Sequence, residues 1–217
     1  MYLKMTVFEE VCDLKSFERC KDKVIPRKKM GKILESGRNA PSPGNVQTLE
    51  FIVVEDEERK EMFYRASGDD RVLEVPNLII VISNVDRMRR RIKNETEIYC
   101  NAEAACAIQN MRLVARSEGI GSSWVSGFDR EDVKHKFRIP EGKEPLAAVL
   151  FAYTDDEIER EDRFGMNEVC FYDVYGNQIE SFWDDPAWRG LRVEKKIHEK
   201  KAKGFLDKLR ELLDQHL

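Results

Sequence analysis

Side chains that commonly perform acid–base, nucleophilic or metal chemistry are few in this 217-residue sequence. None of the three histidines, His135, His198 and His216, stands at metal-ligand spacing from a cysteine. The cysteines form an odd set without a Cys-x-x-Cys pair, which favours reduced structural thiols over a zinc site or a Cys–His nucleophile. They are Cys12, Cys20, Cys100, Cys106 and Cys170. The sequence therefore predicts no metal site and no catalytic side chain, and in an enzyme a bound organic cofactor would carry the chemistry.

One segment concentrates residues with special backbone properties. Residues 36–47 read SGRNAPSPGNVQ, in which prolines and a glycine restrict or free the backbone at fixed places. Ser42 and Asn45 add short side chains that can cap nearby amide groups. A shaped loop is predicted here. These residues alone leave two interpretations open, a plain connection between a helix and a strand or one wall of a binding site.

Composition and charge restrict the class of protein. With 41% apolar residues, 36% charged residues and a net charge of -4, a globular protein with a heavily charged surface is expected. The strongest basic run, DRMRRRIK at 86–93, lacks interleaved aromatic residues, so a solvated helix face or loop is favoured over a nucleic-acid patch. No stretch reaches the roughly 18 to 20 apolar residues of a membrane span, and the opening MYLKMTVFEE lacks the apolar core of a signal peptide. We expect no nucleic-acid partner, no membrane and a cytoplasmic location.

The elements that would position a site can be predicted from apolar spacing. Helices are predicted over 6–17, with Val7, Val11 and Leu14 on one stripe, from Pro26 to Gly37, over 57–66, over 95–118 with Gly119 as its stop, and over 129–137. Short apolar runs predict buried central strands at 49–56 and 77–84, a short strand and turn within 120–128, and a third apolar strand at 145–153. The mixed order indicates an α+β or α/β domain with at least three or four strands.

The C-terminal stretch has a different composition. Residues 189–217 contain many Lys and Glu, with Phe205, Leu209, Leu212 and Leu213 forming a narrow apolar stripe at helical spacing. We predict a charged amphipathic helix that lies across another surface, either the protein's own core or a partner subunit. The predicted domains are therefore 1–188 and 189–217.

Four segments, in order and spacing, resemble motifs of the flavin-dependent nitroreductase family. ESGRNAPSPGNVQTLEFIVV (35–54) resembles that family's Ala-Pro-Ser-x-x-Asn-x-Gln loop and following strand. AIQNMRLVARSEGIGSSWVSGFD (107–129) resembles its Gln-Asn-x-x-Leu helix, Gly-Leu-Gly turn and strand ending in Gly-Phe-Asp. FRIPEGKEPLAAVLFAY (137–153) is similar to its Ile-Pro-Glu stretch and last core strand, and DRFGMNEVCFYDVYG (162–176) to its Arg-x-Pro-Leu segment.

The resemblance implies a homodimer of α+β subunits, with a central mixed or antiparallel sheet flanked by helices and flavin mononucleotide (FMN) at the subunit interface. It implies an oxidoreductase that uses NADH or NADPH in a ping-pong, two-electron reduction of nitro, quinone or related acceptors. The C-terminal helix is then expected to pack on the partner subunit. The alternatives are a specialised branch, such as dehalogenation or flavin fragmentation, and a flavin-binding or flavin-free interaction protein on the same fold.

The resemblance also implies which residues contact the flavin. The edge of the flavin would be contacted by four loop residues of the neighbouring subunit: Pro41, Ser42, Pro43 and Asn45. Trp124, Val125, Ser126 and Gly127 would lie along one ring face, where a glycine lets the backbone approach closely. Arg71 and Arg163 would supply positive charge near the ring and at the phosphate. The family's N-terminal Arg-Arg-Ser-x-Arg motif corresponds to residues 14–18, so Lys15, Ser16 and the displaced Arg19 are the matching candidates.

The sequence departs from the family pattern at two places. Leu14 and Glu18 stand where the family has arginines, which predicts altered phosphate recognition and, if Glu18 points inward, opposition to flavin reduction. The Pro-Trp that often follows the loop glutamine is replaced by Thr48 and Leu49. These departures affect the expected substrate and donor more than the expected fold.

Overall fold

The computed structural model describes residues 6–12, 14–156 and 163–177. The chain divides into two compact units, Met1–Arg160 and Glu161–Leu217. The predicted boundary at 188/189 and the predicted helix over 189–217 lie outside the described residues and stay predictions. Among the helices of the described ranges, none combines the length and apolarity needed to cross a membrane.

One four-stranded sheet forms the centre of the first unit as described. Its strands are β1 (Leu49–Val54), β2 (Asn77–Asn84), β3 (Gly121–Val125) and β4 (Lys143–Ala152). They lie in the order β1-β2-β4-β3, and every pairing is antiparallel. Among the residues that the structure describes, the central strands are therefore β2 and β4, and the edges are β1 and β3.

The prediction that the first strand is buried and central is wrong. β1 is an edge strand in which Leu49 to Ile52 are only half-buried and Val53 is 39% exposed. It ends at Val54 instead of Asp56, because the Asp56 carboxylate caps the next helix by accepting a hydrogen bond from the Arg59 amide at 3.0 Å. The second predicted strand is correct, since β2 is central and buried from Asn77 to Ser83.

Helices cover both faces of this sheet. Those described in the first unit are α1 (Val7–Cys12), α2 (Arg27–Arg38), α3 (Glu57–Ser67), α4 (Arg71–Glu74), α5 (Val85–Arg91), α6 (Thr96–Ser117) and α7 (Arg130–Lys136). In the second unit the described residues include α8 (Met166–Val169). The basic run at 86–93 lies mostly on α5, where its arginines are exposed, as the solvated-face interpretation predicted.

Alternating residues of β2 separate two cores. Leu78, Ile80 and Ile82 pack on one face of the sheet in a cluster that includes Phe63 of α3, Val72 of α4 and Val133 of α7. Ile79 and Val81 pack on the other face, in a cluster formed largely with α2 and α6. Because successive strand side chains point to opposite faces, a continuous apolar run such as β2 is required where both faces are covered. This three-layer arrangement is the predicted α+β fold.

Packing between α2 and α6 explains one wrong boundary. Gly37 does not stop α2 but lies inside it and is buried. A Cβ at Gly37 would lie 2.7 Å from Met111 Sδ and 3.2 Å from Phe51 Cζ. The glycine is therefore needed for close helix packing, not for a turn. By contrast, Gly119 does stop α6, with a φ of +74°.

The first helix is shorter than predicted. α1 ends at Cys12, and Val7 and Val11 of its predicted apolar stripe are 77% and 43% exposed. The helical spacing therefore does not correspond to a buried face in the described chain. Beyond Leu14 the backbone is not helical, because it runs along β3 and its polar groups bind there.

Candidate functional site

The segment 15–19 is held against β3 by a serine that sequence reasoning missed. Ser123 Oγ accepts a hydrogen bond from the Phe17 amide at 3.0 Å and donates one to the Phe17 carbonyl at 3.1 Å. The Phe17 side chain is buried in the core, whereas Lys15, Ser16 and Arg19 are exposed. Two of the predicted groups, the N-terminal motif and β3, therefore meet at this place.

Arg71 joins the same cluster. Its Nη1 donates to the Phe17 carbonyl at 3.1 Å, while its Nε and Nη2 donate to the two Asp69 carboxylate oxygens at 2.8 and 2.6 Å. These hydrogen bonds hold the pKa of Asp69 below its ordinary value and raise the pKa of Arg71. Much of the charge of Arg71 is thus balanced by Asp69, and its contact with the flavin stays a prediction.

A second carboxylate fixes the end of the segment. Asp156 Oδ2 accepts hydrogen bonds from the Glu18 and Arg19 amides at 2.8 and 2.5 Å, and these bonds lower the pKa of Asp156. The Thr154 hydroxyl also donates to the Arg19 carbonyl at 2.8 Å. The backbone of the N-terminal motif is thus fixed, and its charged side chains are left at the surface.

Gly121 is required for this arrangement. A Cβ at this position would lie 2.6 Å from Thr154 Cγ2 and 3.1 Å from the Phe17 ring. Since such distances are below van der Waals contact, only glycine lets β3 approach both segments. The Gly-Leu-Gly turn of the sequence resemblance therefore has a packing role at its second glycine.

The end of β3 presents one large exposed side chain, Trp124, followed by two small residues, Ser126 and Gly127. Trp124 is 39% exposed, and Ser126 and Gly127 are also exposed. A Cβ at Gly127 would meet no heavy atom within 4 Å, so its own fold leaves that space open. The Val125 side chain points the other way and is buried in the core, so this predicted contact residue can offer only backbone atoms.

Positive charge also lies behind β3. Arg112 of α6 donates from Nε to Ser122 Oγ at 3.2 Å, and burial lowers the pKa of its guanidinium. Arg112 could not be selected from the sequence, because a lone arginine on a helix has no signal that separates it from a surface residue. Its position adds positive potential to this edge of the sheet.

The loop predicted over 36–47 is shorter than expected, because residues 36–38 belong to α2, and its residues 40–47 form a second group. Residues Pro43–Asn45 make one 3-10 turn, and the Ser42 hydroxyl accepts a hydrogen bond from the Gln47 amide at 2.7 Å. The backbone is left-handed at Gly44, Asn45 and Gln47, with φ of +59°, +54° and +53°. The loop is therefore shaped by local caps, as its composition predicted, and it holds non-glycine residues in a costly conformation.

Polar side chains of α5 and α6 hold the end of the loop where it enters β1. Both Glu103 carboxylate oxygens accept hydrogen bonds from Thr48, at 3.0 Å from its amide and 2.8 Å from its hydroxyl. Arg87 Nη1 donates to the Gln47 carbonyl. Next to them lies a cavity of about 160 Å³ whose lining includes Ala40, Gln47, Arg87 and Glu103. Sequence reasoning missed Glu103, because a glutamate within a helix is usually exposed.

The two groups lie at opposite edges of the sheet. The loop leads into β1, whereas the 15–19 segment and Arg71 are tied to β3, and β2 and β4 stand between. Three strand spacings correspond to roughly 14 Å. Arg163 belongs to the second unit, where it is exposed and precedes α8. The structure thus ties the backbone of the 15–19 segment and Arg71 to β3 through Ser123 and Phe17, and keeps the 41–45 loop at the opposite edge of the sheet. Arg19 lies beside Thr154 near the start of β3, whereas the 124–127 strip lies at the other end of that strand.

These features define an α+β protein whose antiparallel sheet carries a candidate binding group at each edge. The model of the Nitroreductase family matches residues 20–72 and 61–153. The chain belongs to the nitroreductase family. This confirms both the resemblance inferred from its motifs and the nitroreductase-like fold.

Relatives and solved structures agree with this assignment. The chain is similar to a putative NADH dehydrogenase/NAD(P)H nitroreductase of Archaeoglobus fulgidus, with 30% identity over 68% of this chain and 87% of the relative. It is 20% identical to an FMN reductase [NAD(P)H] of Bacillus subtilis, over 80% of this chain and 76% of the relative. In fold it resembles a nitroreductase family protein from Clostridium difficile, with a TM-score of 0.71 at 23% identity, over 78% and 99% of the two chains.

Proposed function

We propose that the chain is an FMN-dependent oxidoreductase that takes two electrons from NADH or NADPH and passes them to a nitro, quinone or related acceptor. Family membership and the names of its relatives make it an NAD(P)H-dependent oxidoreductase with FMN as cofactor. The acceptor class and the ping-pong order are the parts that we add.

The open strip at Gly127 is the observation that carries the proposal. A flat ring needs a wall that offers backbone atoms without side-chain bulk, and here a Cβ would meet nothing within 4 Å. Ser126 and the partly exposed Trp124 border this strip. The chain's own packing does not require a glycine at this place, so the open space fits a bound ring.

The neighbouring segment fits the polar end of the cofactor. Lys15, Ser16 and Arg19 are exposed, and together they offer two cations and a hydroxyl to a phosphate. The hydrogen bonds of Ser123, Arg71 and Asp156 fix the backbone that carries them. The Glu18 side chain is also exposed, so its charge is solvated. The Glu18 amide donates a hydrogen bond to Asp156.

Bound FMN would supply the two-electron acceptor that the chain's own side chains lack. The protein then binds and orients the ring along Trp124, Ser126 and Gly127, excludes water from that face, and provides positive charge. Arg71 and Arg112 are the cations closest to this role, since charge that accumulates during reduction is stabilised by pre-oriented donors. Because donor and acceptor would use one face in turn, the steady-state kinetics would be ping-pong.

A homodimer completes the site in this proposal. If the 41–45 loop contacts the same flavin as Gly127, it must come from a second copy, because the two groups stand at opposite edges of one sheet. The edge of the ring would then be contacted by the partner subunit's loop, through Pro41, Ser42, Pro43 and Asn45. A contribution from Arg163 at the phosphate, a cytoplasmic location and the absence of a nucleic-acid partner stay predictions.

Identification of the released cofactor tests the proposal. The purified protein, reconstituted with excess FMN and freed of unbound nucleotide, is expected to release one FMN per subunit on denaturation, as measured by mass spectrometry and absorbance. Initial rates with varied NADH or NADPH and a quinone acceptor should give parallel double-reciprocal lines. Retention of no flavin, or of another nucleotide, would contradict the proposal, and intersecting lines would contradict the ping-pong order.

A further inference from the structure

The peptide bond between Gln47 and Thr48 is held from both sides by charged groups of two different helices. On one side the Gln47 carbonyl accepts a hydrogen bond from Arg87 of α5. On the other side the Thr48 amide donates to Glu103 of α6 at 3.0 Å. This peptide bond is the point at which the 40–47 loop enters β1, so its orientation sets the direction of the whole loop.

We propose that Glu103 is the positioning residue that holds the 40–47 loop in the shape that binds FMN. This inference rests on the proposed function, because it takes the loop to be one edge of the flavin site. Glu103 itself is only 3% exposed and acts through Thr48.

Backbone conformation in the loop requires such a support. Asn45 and Gln47 have positive φ values of +54° and +53°, which side chains with a Cβ seldom adopt. Such residues persist only where their surroundings determine the conformation. The Ser42 hydroxyl holds the Gln47 amide at 2.7 Å, and the peptide bond that follows Gln47 is held by Arg87 and Glu103.

A carboxylate at Glu103 can accept from both donors of Thr48 at once. One oxygen accepts from the Thr48 amide and the other accepts from the Thr48 hydroxyl at 2.8 Å, while Ser83 Oγ donates to that same hydroxyl at 2.9 Å. A glutamine oxygen could accept from only one of the two donors, and its NH2 group would donate to the Thr48 hydroxyl, whose own hydrogen would have to turn toward Ser83 Oγ and displace the hydrogen that Ser83 now donates. Thr48 and Ser83 are fully buried, so a donor left without an acceptor there could not turn to water.

The burial of this charge also favours a positioning role. Among the described residues, no cation forms an ion pair with Glu103, which receives its hydrogen bonds from Thr48 alone. A buried carboxylate without a cation is costly, and an apolar residue would generally stabilise the α6 packing better. Its presence is explained if it fixes the loop entrance and not merely the helix.

The test compares Glu103→Gln with Glu97→Gln, which makes the same charge change at an exposed position of the same helix. Hydrogen–deuterium exchange of the FMN-free proteins is measured first. We expect the amides of Gln47 and Thr48 to exchange about tenfold faster in Glu103→Gln, with the β2 and β4 amides unchanged. Glu97→Gln should match the wild type. Unchanged exchange at Gln47 and Thr48 in Glu103→Gln would overturn the inference, whatever the flavin does.

Fluorescence titration with FMN gives the second readout. Glu103→Gln is expected to bind FMN about tenfold more weakly. Thr48→Ser, which keeps both donors, should bind as the wild type does, and Thr48→Val should bind more weakly. A loosened loop with wild-type FMN affinity would overturn the positioning role. A wild-type protein that binds no FMN would overturn the proposed function, and the binding part of this inference with it.

Discussion

Ser123 holds Phe17 by both of its backbone polar groups, accepting from the amide at 3.0 Å and donating to the carbonyl at 3.1 Å. One buried hydroxyl therefore decides where the N-terminal segment crosses β3, and with it where Lys15 and Ser16 reach the surface. Because Arg71 binds the same carbonyl, the segment, the strand and the arginine form one unit.

Removal of that hydroxyl should affect both stability and binding. Ser123→Ala leaves the buried Phe17 amide without an acceptor, so the free energy of unfolding is expected to fall by about 1–3 kcal/mol. FMN affinity should fall as well, because the phosphate-side residues lose their fixed backbone. Urea unfolding and FMN titration measure the two effects. Ser117→Ala, at an exposed position on α6, is the control and should change neither, and wild-type affinity in Ser123→Ala would show that the segment does not contact FMN.

An added side chain should affect stability at one glycine, Gly121 of β3, and FMN binding at another, Gly127 just beyond that strand. Gly121→Ala places a Cβ 2.6 Å from Thr154 Cγ2, and overpacking of this kind is expected to lower the free energy of unfolding by about 1–3 kcal/mol. Gly127→Val should fold normally, because its Cβ enters open space, yet bind FMN about a hundredfold more weakly. Thermal unfolding and fluorescence titration separate the two. A folded Gly127→Val protein with unchanged affinity would mean that the ring lies elsewhere.

The Asp69–Arg71 pair predicts a pH dependence of stability. Arg71 lowers the pKa of Asp69 in the folded protein, so the pair stabilises the fold at pH values above about 3.9, the ordinary aspartate pKa. That contribution is lost as the pH falls through the lower folded pKa. The stability difference between wild type and Asp69→Asn should therefore be largest near neutral pH and shrink below about pH 4. Chemical unfolding across this range measures it, and a difference that does not change with pH would contradict the assignment.

Because the 41–45 loop and the 124–127 strip lie at opposite edges of the sheet, two different variant subunits should complement each other. A Gly127→Val chain and a Ser42→Val chain should each bind FMN poorly as homodimers. A mixed dimer should regain one site, formed by the intact 124–127 strip of one subunit and the intact loop of the other. Refolding the two chains together and measuring bound FMN tests this. No recovery in confirmed mixed dimers would show that each site lies within a single subunit.

Local patterns predicted the fold more completely than the site. β2, β4 and the apolar stripe of α6 were predictable, because burial on a known face dictates residue types at fixed spacing. The edge position of β1 was not, because whether a strand is central depends on which strands pair with it. Gly37 was misread for a similar reason, since its neighbours Met111 and Phe51 come from distant parts of the chain.

Motif residues selected the candidate site, and long-range contacts determine how that part of the fold is built. Resemblance selected Arg71, Ser42 and Gly127, but it did not find Asp69, Ser123 or Glu103. Ser123 meets Phe17 across 106 positions and Glu103 meets Thr48 across 55, so neither pair has a sequence signal of its own. Val125 was selected with its neighbours, yet strand alternation turns its side chain into the core.

Anaerobic reduction of the FMN-reconstituted protein is the decisive test of the proposed flavin chemistry. We expect a yellow protein whose visible flavin band is bleached by one equivalent of NADH or NADPH per bound FMN, and restored when a quinone or nitroaromatic acceptor is added. A protein that stays colourless after incubation with FMN, or a yellow protein whose band neither nicotinamide bleaches, would contradict it.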